Sequence, residues 1–284
     1  MANGTWSSLT DAYDGINRKI YDNSDIRTRD MLFMRNLGGV VLLTAAYLLV
    51  ATLGPRVMAH RKAFELKWPM FAYNVVMSVG SLWMCWEMLI NSWRSGYTLI
   101  CDPYKVSYEP SELRVINANW WYFVTKAIEF LDTVFMVLKK KNSQITVLHV
   151  WHHTFMFPFL FTCVLVGPYG QVLLGPIINS FIHVIMYGYY ALSLFTALHP
   201  YLWWKKYLTQ MQLIQFVIIM VSNCYAMAVG CYYSPVVMYG QSAFLLSLVV
   251  LFGNFYIQSY IVKRKQRSSH RSTPVANGGH KKDS

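Results

Sequence analysis

The chain has 284 residues, of which 55% are hydrophobic and only 13% charged, whereas soluble domains carry about 25% charged residues. That composition, with 16% aromatic residues and a mean hydropathy of +0.30, excludes disordered, collagen-like and coiled-coil chains and favours a membrane protein. The net charge of +12 comes from short basic runs between apolar segments and from a polar tail, which does not favour a nucleic-acid-binding groove.

Seven apolar segments follow a polar stretch over residues 1–36 that contains no cleavable signal sequence. Each segment is long enough to cross about 30 Å of hydrocarbon as a helix. Because lipid cannot satisfy open backbone groups, we predict an all-α polytopic membrane domain over residues 37–262 and a basic tail over residues 263–284. The predicted spans are Leu37–Gly54, Trp68–Ile90, Trp120–Leu138, Ile145–Val166, Val172–Leu194, Leu208–Gly230 and Ala243–Val262.

The distribution of basic residues predicts the orientation. With a cytosolic C-terminus, 16 Lys and Arg residues flank the cytosolic side and 8 the other side. Lys281 and Lys282 precede the last two residues, as in a dilysine retrieval signal of the endoplasmic reticulum, which is read in the cytosol. A glycosylation sequon begins at Asn3. We therefore predict a multi-pass protein of the endoplasmic reticulum membrane, with the N-terminus luminal and the C-terminus cytosolic.

Polar residues within the third to sixth predicted spans are the candidate functional residues. An ionisable side chain at bilayer depth costs at least about 2.5 kcal/mol, although hydrogen bonding between helices is an alternative role for any single polar residue. In each span the spacing keeps the polar residues on one helix face, and a rise of about 1.5 Å per residue places all four sets at one depth, nearer the cytosol. The sets are Lys126, Glu129 and Asp132; His149, His152 and His153; Asn179, His183 and Tyr187; and Thr209, Gln212 and Gln215.

The chemistry of these residues leaves several functions open. A neutral imidazole can be a metal ligand, a general base or a nucleophile. The His-x-x-His-His box also resembles those of membrane di-iron desaturases and hydroxylases, but only four of the eight histidines fall at the predicted site. A seven-helix receptor agrees with the helix count but does not explain polar groups near the cytosol. A cysteine-based condensing enzyme is less favoured, because Cys85, Cys163 and Cys224 have no evident histidine partner.

Taken together and in this order, the four sets resemble the signature of the ELO family, the very-long-chain fatty acid elongases. The resemblance covers about residues 37–262, and Trp151 departs from it where Tyr or Phe is more usual. It implies a 3-oxoacyl-CoA synthase, an acyltransferase that condenses acyl-CoA with malonyl-CoA and releases CO2 and CoA. It also implies seven transmembrane helices that enclose an acyl-chain tunnel open to the cytosol.

The resemblance, rather than the spacing, identifies His152 as the nucleophile that forms an acyl-imidazole. His183 would orient or deprotonate a reacting group, or bind the carboxylate that leaves. Glu129 and Asp132 would fix imidazole tautomers. Thioester activation needs no metal, so we expect no cofactor besides the two substrates. Hydrogen bonds to developing oxyanions would come from Asn179, His149 or His153.

Further residues are expected to bind substrate. Lysines at the cytosolic mouth would hold the CoA phosphates, although they serve equally well as orientation determinants. The candidates inside the membrane are Lys126, which would also neutralise the carboxylates, with Tyr187, Thr209, Gln212 and Gln215. The candidates at the mouth are Lys139, Lys140, Lys141, Lys205 and Lys206.

Three expectations concern substrates, partners and a disulfide. The sequence from Gln144 to His149 resembles the branch of the family that handles polyunsaturated and very long acyl chains. Membrane lipid surrounds the chain, reductases and a dehydratase would complete each elongation cycle, and a homo-oligomer is left open. Cys101 and Cys231 both fall on predicted luminal loops, and we predict a disulfide between them because that compartment is oxidising.

Overall fold

The computed structural model describes residues 2–102, 106–167, 171–231 and 234–262. These residues form helices joined by turns, and they contain no β-strand. The predicted retrieval signal at Lys281 and Lys282 lies outside the described residues. The helices are α1 (Ala2–Asp22), α2 (Leu37–Val57), α3 (Lys67–Arg94), α4 (Pro110–Ile128), α5 (Phe130–Leu138), α6 (Val147–Val166), α7 (Gln171–Ser193), α8 (Lys205–Ala228) and α9 (Pro235–Tyr256), which a π-helix continues to Val262.

Five helical segments of the described chain are long and apolar enough to cross a membrane. They correspond to the first, fourth, fifth, sixth and seventh predicted spans and belong to α2, α6, α7, α8 and α9 with its π-helical extension. The prediction of an all-helical membrane protein is therefore confirmed at this level. The candidate spans are Leu37–Val57, Val147–Val166, Val172–Ser193, Lys205–Ala228 and Val237–Val262.

The second and third predicted spans differ from these five in composition and continuity. Helix α3 is 28 residues long, but polar residues such as Asn74, Glu87 and Asn91 lower its hydropathy. The third predicted span forms two helices, α4 and α5, which meet at Glu129. Helix α4 begins at Pro110, ten residues before the predicted start at Trp120, because proline suits the first turn of a helix.

Six helices pack side by side into a closed ring. Going round it, α3 packs against α4, α4 against α6, α6 against α9, α9 against α8, α8 against α7, and α7 against α3. Helix α2 packs outside this ring against α5 and α6. The four predicted polar sets lie on α4, α5, α6, α7 and α8, so the ring brings their helices together.

Cys101 and Cys231 form a disulfide, with 5.6 Å between their Cα atoms. The bond joins the α3–α4 connection to the α8–α9 connection, the two segments that the sequence analysis placed in the lumen. The other cysteines, Cys85, Cys163 and Cys224, are free thiols.

Candidate active site

A cavity of about 470 Å³ opens among the helices of the ring, and we call it the polar cavity. Its volume is within the range of about 300–1,000 Å³ that is usual for small-molecule sites. Fourteen of the seventeen predicted catalytic and substrate-binding residues line it, and the exceptions are Lys126, Lys140 and Lys206. The fourteen are Glu129, Asp132, Lys139, Lys141, His149, His152, His153, Asn179, His183, Tyr187, Lys205, Thr209, Gln212 and Gln215.

Glu129 lies at the junction between α4 and α5, in the wall of the polar cavity, where it contacts a lysine and a histidine. Its Oε1 atom lies 2.6 Å from Lys126 Nζ and 3.3 Å from His183 Nδ1. The side chains of Lys126 and Glu129 are both only 2% exposed. An unpaired charge is costly to bury, so each residue of this ion pair stabilises the buried charge of the other. Glu129 thus contacts an imidazole, as the sequence analysis expected.

Lys126 faces the protein interior and does not line the cavity. Its ammonium lies 4.4 Å from the ring centre of Tyr122 and 3.4 Å from Asn179 Oδ1. The Tyr122 hydroxyl donates to the same Asn179 oxygen at 2.9 Å, and Asn179 Nδ2 donates to Gln215 Oε1 at 3.4 Å. A continuous hydrogen-bonded network therefore joins α4, α7 and α8, and Lys126 contributes to it as a buried counter-charge.

The three histidines of α6 occupy different surroundings. His149 Nε2 lies 2.8 Å from Thr133 Oγ1, and its backbone N–H donates to the N-cap side chain of Thr146. The His153 ring lies 4.5 Å from that of His149 and 5.0 Å from that of His152, measured between ring centres. The His152 imidazole has no hydrogen-bond partner among the described residues, although it lines the cavity. His153 likewise lines the cavity without a hydrogen-bond partner among the described residues, so hydrogen bonding separates only His149 from the other two.

Asp132 has a different partner from the imidazole that the sequence analysis expected. Its Oδ2 atom accepts a hydrogen bond of 3.0 Å from the Tyr187 hydroxyl. Tyr187 follows His183 by four residues on α7, so the two carboxylates of the third set bind successive turns of that helix. One contacts a histidine and the other a tyrosine.

A second, smaller cavity of about 50 Å³ continues beyond His152, and we call it the apolar cavity. It shares His152, Asn179, Gln215 and Phe216 with the polar cavity, and His152 is the one histidine in its wall among the described residues. Helix α7 contributes the bare backbone of Gly175. The remaining lining residues are almost all apolar: Tyr122, Met156, Phe159, Leu160, Cys163, Val172, Pro176, Ile219, Gln241, Phe244, Leu245 and Leu248.

The mouth of the polar cavity carries three of the five predicted lysines. Lys139, Lys141 and Lys205 line it. Lys140 instead donates to the backbone oxygens of the α2–α3 connection, at 2.9 Å from Ala59 O and 3.2 Å from Arg61 O. Lys206 lies over a tyrosine ring at 4.6 Å. Only part of the basic cluster is therefore placed to contact a molecule that enters the cavity.

Three further residues of the site are absent from the sequence prediction. Tyr122 precedes Lys126 by one helical turn, and extending the face of that set backwards would have found it. Thr133 directly follows Asp132, but nothing in the sequence indicates its contact with His149. Tyr73 lines the cavity from α3, a helix whose polar residues the sequence analysis did not place at the site. Within the described ranges, no group of three or more His, Cys, Asp or Glu side chains is arranged to hold a metal ion.

Comparison with known proteins places the chain in context. A model of the ELO family, described as the GNS1/SUR4 family, matches residues 32–268. Very long chain fatty acid elongase 2 of Mus musculus is 42% identical over 255 residues, which cover 89% of this chain and 86% of the relative. Very long chain fatty acid elongase 5 of Xenopus tropicalis is 38% identical over 95% of this chain and 92% of its own length. The human elongase 5 is 37% identical over 89% of this chain and 85% of the relative.

Proposed function

The chain belongs to the ELO (GNS1/SUR4) family and is a condensing enzyme of fatty acid elongation, and from that premise we propose how its cavities perform the reaction. The substrates are acyl-CoA and malonyl-CoA, and the product is a 3-oxoacyl-CoA that is two carbons longer. The acyl thioester would bind with its carbonyl carbon beside His152, its CoA in the polar cavity and its hydrocarbon chain directed into the apolar cavity. At about 50 Å³ the apolar cavity would have to widen to hold a long chain. The position of His152 in the walls of both cavities is the observation that carries this proposal.

In the first half-reaction, a lone pair of the His152 imidazole attacks the thioester carbon. The carbon–sulfur bond breaks with its electron pair on sulfur. The acylated ring gives up its N–H proton, the CoA thiolate takes up that proton, and a neutral acyl-imidazole remains. His152 has no competing hydrogen bond among the described residues and, unlike His153, also lines the apolar cavity, which supports this role. Side-chain hydrogen bonds from neighbours such as Asn179 would stabilise the oxyanion that develops on the acyl oxygen.

In the second half-reaction, malonyl-CoA takes the place of the free CoA. Its carboxylate leaves as CO2, and the electron pair of that carbon–carbon bond passes to the enolate of the thioester. The enolate carbon attacks the acyl carbon, and the carbon–nitrogen bond breaks to return the electron pair to His152. The imidazole then takes up a proton from solvent and is neutral again. His183, held by Glu129 at 3.3 Å, would orient the malonyl group, and Lys126 would keep Glu129 charged through both steps. We propose that neither step uses a metal ion or another cofactor.

Lys139, Lys141 and Lys205 would hold the CoA phosphates at the mouth, together with polar residues of the short α5–α6 connection. The neutral side chains Thr209, Gln212 and Gln215 line the α8 side of the same cavity. They would bind the amide-rich arm of CoA by hydrogen bonds.

We further propose seven membrane crossings and a continuous acyl tunnel. Helix α3 is about 42 Å long, and the α4–α5 segment is of similar length, so each can cross the hydrocarbon region despite its polar residues. Joining the two cavities would form the tunnel. Residues 1–36 would form the luminal segment, residues 37–262 the membrane domain and residues 263–284 the cytosolic tail. The Cys101–Cys231 disulfide supports a luminal position for the loops that it joins.

Substrate class, location and partners complete the proposal. The relatives are named very long chain fatty acid elongases, and the Gln144–His149 segment resembles the polyunsaturated branch, so we expect polyunsaturated very-long-chain acyl-CoAs as preferred substrates. The endoplasmic reticulum membrane is the expected location. Reductases and a dehydratase would process the 3-oxoacyl product.

The testing experiment supplies purified protein with radiolabelled malonyl-CoA and a panel of saturated and polyunsaturated acyl-CoAs after treatment with a chelator. We expect a labelled 3-oxoacyl-CoA from the wild type and a loss of at least about a thousandfold in His152→Ala, since removing a nucleophile eliminates its covalent pathway. His199→Ala is the matched control, because His199 lies in the α7–α8 connection and bonds Ser193 O. Normal condensation by folded His152→Ala would refute the acyl-imidazole mechanism.

A further inference from the structure

Asn74 of α3 has a carboxamide that the described protein leaves without a hydrogen-bond partner. The residue lines the polar cavity and is only 3% exposed, although buried polar groups in proteins are nearly always hydrogen-bonded. Its nitrogen and oxygen are not among the unpaired polar atoms of the described residues that are sealed from solvent. The carboxamide of Asn74 therefore faces the cavity, where a bound molecule can contact it.

Two contacts between α3 and α7 give the level at which Asn74 lies. The Tyr73 ring meets that of Tyr187 at 5.9 Å between ring centres. Five residues later on α3, Ser78 Oγ donates to Val184 O at 2.9 Å. The α7 partner moves backwards along the chain as α3 advances, so the two helices run antiparallel. Asn74 directly follows the first of these contacts and is therefore close to the level of Tyr187.

This level lies between the reacting groups and the mouth of the cavity. Tyr187 follows His183 by one turn of α7, about 5.4 Å nearer the C-terminal end of that helix. Ser193, the last residue of α7, and Lys205, the first of α8, line the same cavity. A substrate with its thioester beside the histidines and its phosphates at the mouth passes Asn74 with the first part of its CoA arm.

We propose that Asn74 binds the amide of the CoA arm that lies nearest the sulfur, in both acyl-CoA and malonyl-CoA. The nitrogen of this amide is four bonds from the thioester carbon, a separation comparable with one helical turn. The amide has one N–H donor and one carbonyl acceptor, and a carboxamide has an acceptor oxygen and an NH2 donor group to match them. These hydrogen bonds set the position of the thioester relative to His152.

The malonyl carboxylate fits less well at this level. The Tyr187 hydroxyl donates to Asp132, so an acidic side chain already borders this part of the wall. The carboxamide of Asn74 carries no charge that would offset a second carboxylate, whereas it matches a neutral amide donor for acceptor and acceptor for donor. The arm that both substrates share is therefore the better partner.

This inference rests on the proposed placement of CoA in the polar cavity, and kinetics of Asn74→Leu test it. The substitution nearly keeps the side-chain volume and removes both hydrogen bonds. Because both substrates carry the same arm, the KM for acyl-CoA and the KM for malonyl-CoA should each rise about fivefold to tenfold, with kcat within about twofold of wild type. Unchanged KM values, a rise in only one of them, or a loss confined to kcat would overturn the proposal.

Truncated acyl donors test which amide is bound. An N-acetylcysteamine thioester keeps only the amide nearest the sulfur, and an ethyl thioester has no amide. In kcat/KM, the wild type should use the first at least about fivefold better, and Asn74→Leu should use both equally. Asn74→Ala gives the same comparison if the leucine variant does not fold. The control is Ser78→Ala, which loses a hydrogen bond to α7 outside both cavity walls and should keep the wild-type preference.

The outcomes separate this proposal from the reaction on which it rests. Equal use of the two truncated donors by the wild type would overturn the role of Asn74 and leave the condensing reaction intact. If the wild type condensed acyl-CoA but neither truncated donor, the two KM values of the Asn74 variants would decide. If the wild type condensed no acyl donor at all, the condensing reaction itself would be wrong.

Discussion

The two cavities that meet at His152 differ in size, polarity and what surrounds them. The polar cavity is about 470 Å³ and is lined by charged, imidazole and amide side chains from five helices. The apolar cavity is about 50 Å³, and its wall beyond the shared residues is nearly all hydrocarbon and aromatic rings. The polar cavity has the groups that the proposed reaction needs to bind CoA and to stabilise developing charge. The apolar cavity can recognise only the shape and length of an apolar chain. In the proposed reaction, chemistry and chain selectivity would therefore belong to two adjacent cavities.

Apart from the loss expected on replacing His152, the largest expected effect concerns the charged wall of the polar cavity. Glu129→Gln leaves Lys126 buried without its counter-charge, and breaking a buried pair from one side costs about 3–5 kcal/mol. We expect a loss of condensation of at least about a hundredfold and a lower midpoint of thermal unfolding in detergent. The double variant Lys126→Met with Glu129→Gln should recover unfolding temperature without recovering activity. An unchanged unfolding midpoint in Glu129→Gln would contradict the role of the pair.

The apolar cavity should respond to a substitution that leaves the chemistry intact. A methyl group added at Gly175 would lie 3.7 Å from Gln241 Nε2 and 3.8 Å from Ile219 Cδ1, which is ordinary contact. Gly175→Ala should therefore elongate the full substrate panel. Gly175→Leu would fill the narrow space, and we expect its activity on long relative to short acyl-CoAs to fall at least about tenfold, or about 1.4 kcal/mol. Equal losses at every chain length would show that this cavity does not hold the acyl chain.

The smallest effect is expected at the mouth of the polar cavity. The double variant Lys139→Met with Lys205→Met should raise the KM for acyl-CoA about threefold to tenfold at low salt, with little change in kcat, because exposed charge pairs contribute up to about 1 kcal/mol each. The difference should shrink in about 1 M salt, where charges are screened within about 3 Å. Lys206→Met is the control, since Lys206 lies over a tyrosine ring. A salt-independent KM change would argue against phosphate binding.

The sequence predicted the helices and polar faces of the site better than the contacts between them. Helical spacing determines which residues share a face, and eleven of the twelve side chains in the four sets line one cavity for that reason. Spacing does not determine which neighbour each face meets, so the pairing of Asp132 with Tyr187 and the turn of Lys140 toward Ala59 could not be derived. The predicted spans did include α3 and the α4–α5 segment, but the break at Glu129 was not predicted. These segments are less apolar than the other five spans, because residues that line a cavity lower the apolar content of the helix that carries them.

The spacing of Lys126 and Glu129 has a consequence for how the protein is made. The two residues are three positions apart, whereas Asn179, which also contacts Lys126, is 53 residues further along the chain. At about 5–20 residues per second, the ribosome needs about 3–10 seconds to cover that distance. A lone charge at bilayer depth would cost about 2.5–3.5 kcal/mol through that interval. In the proposed seven-crossing topology, Lys126 and Glu129 already have each other as counter-ions on one segment, so this pair can enter lipid as a neutral unit before α7 has been synthesised.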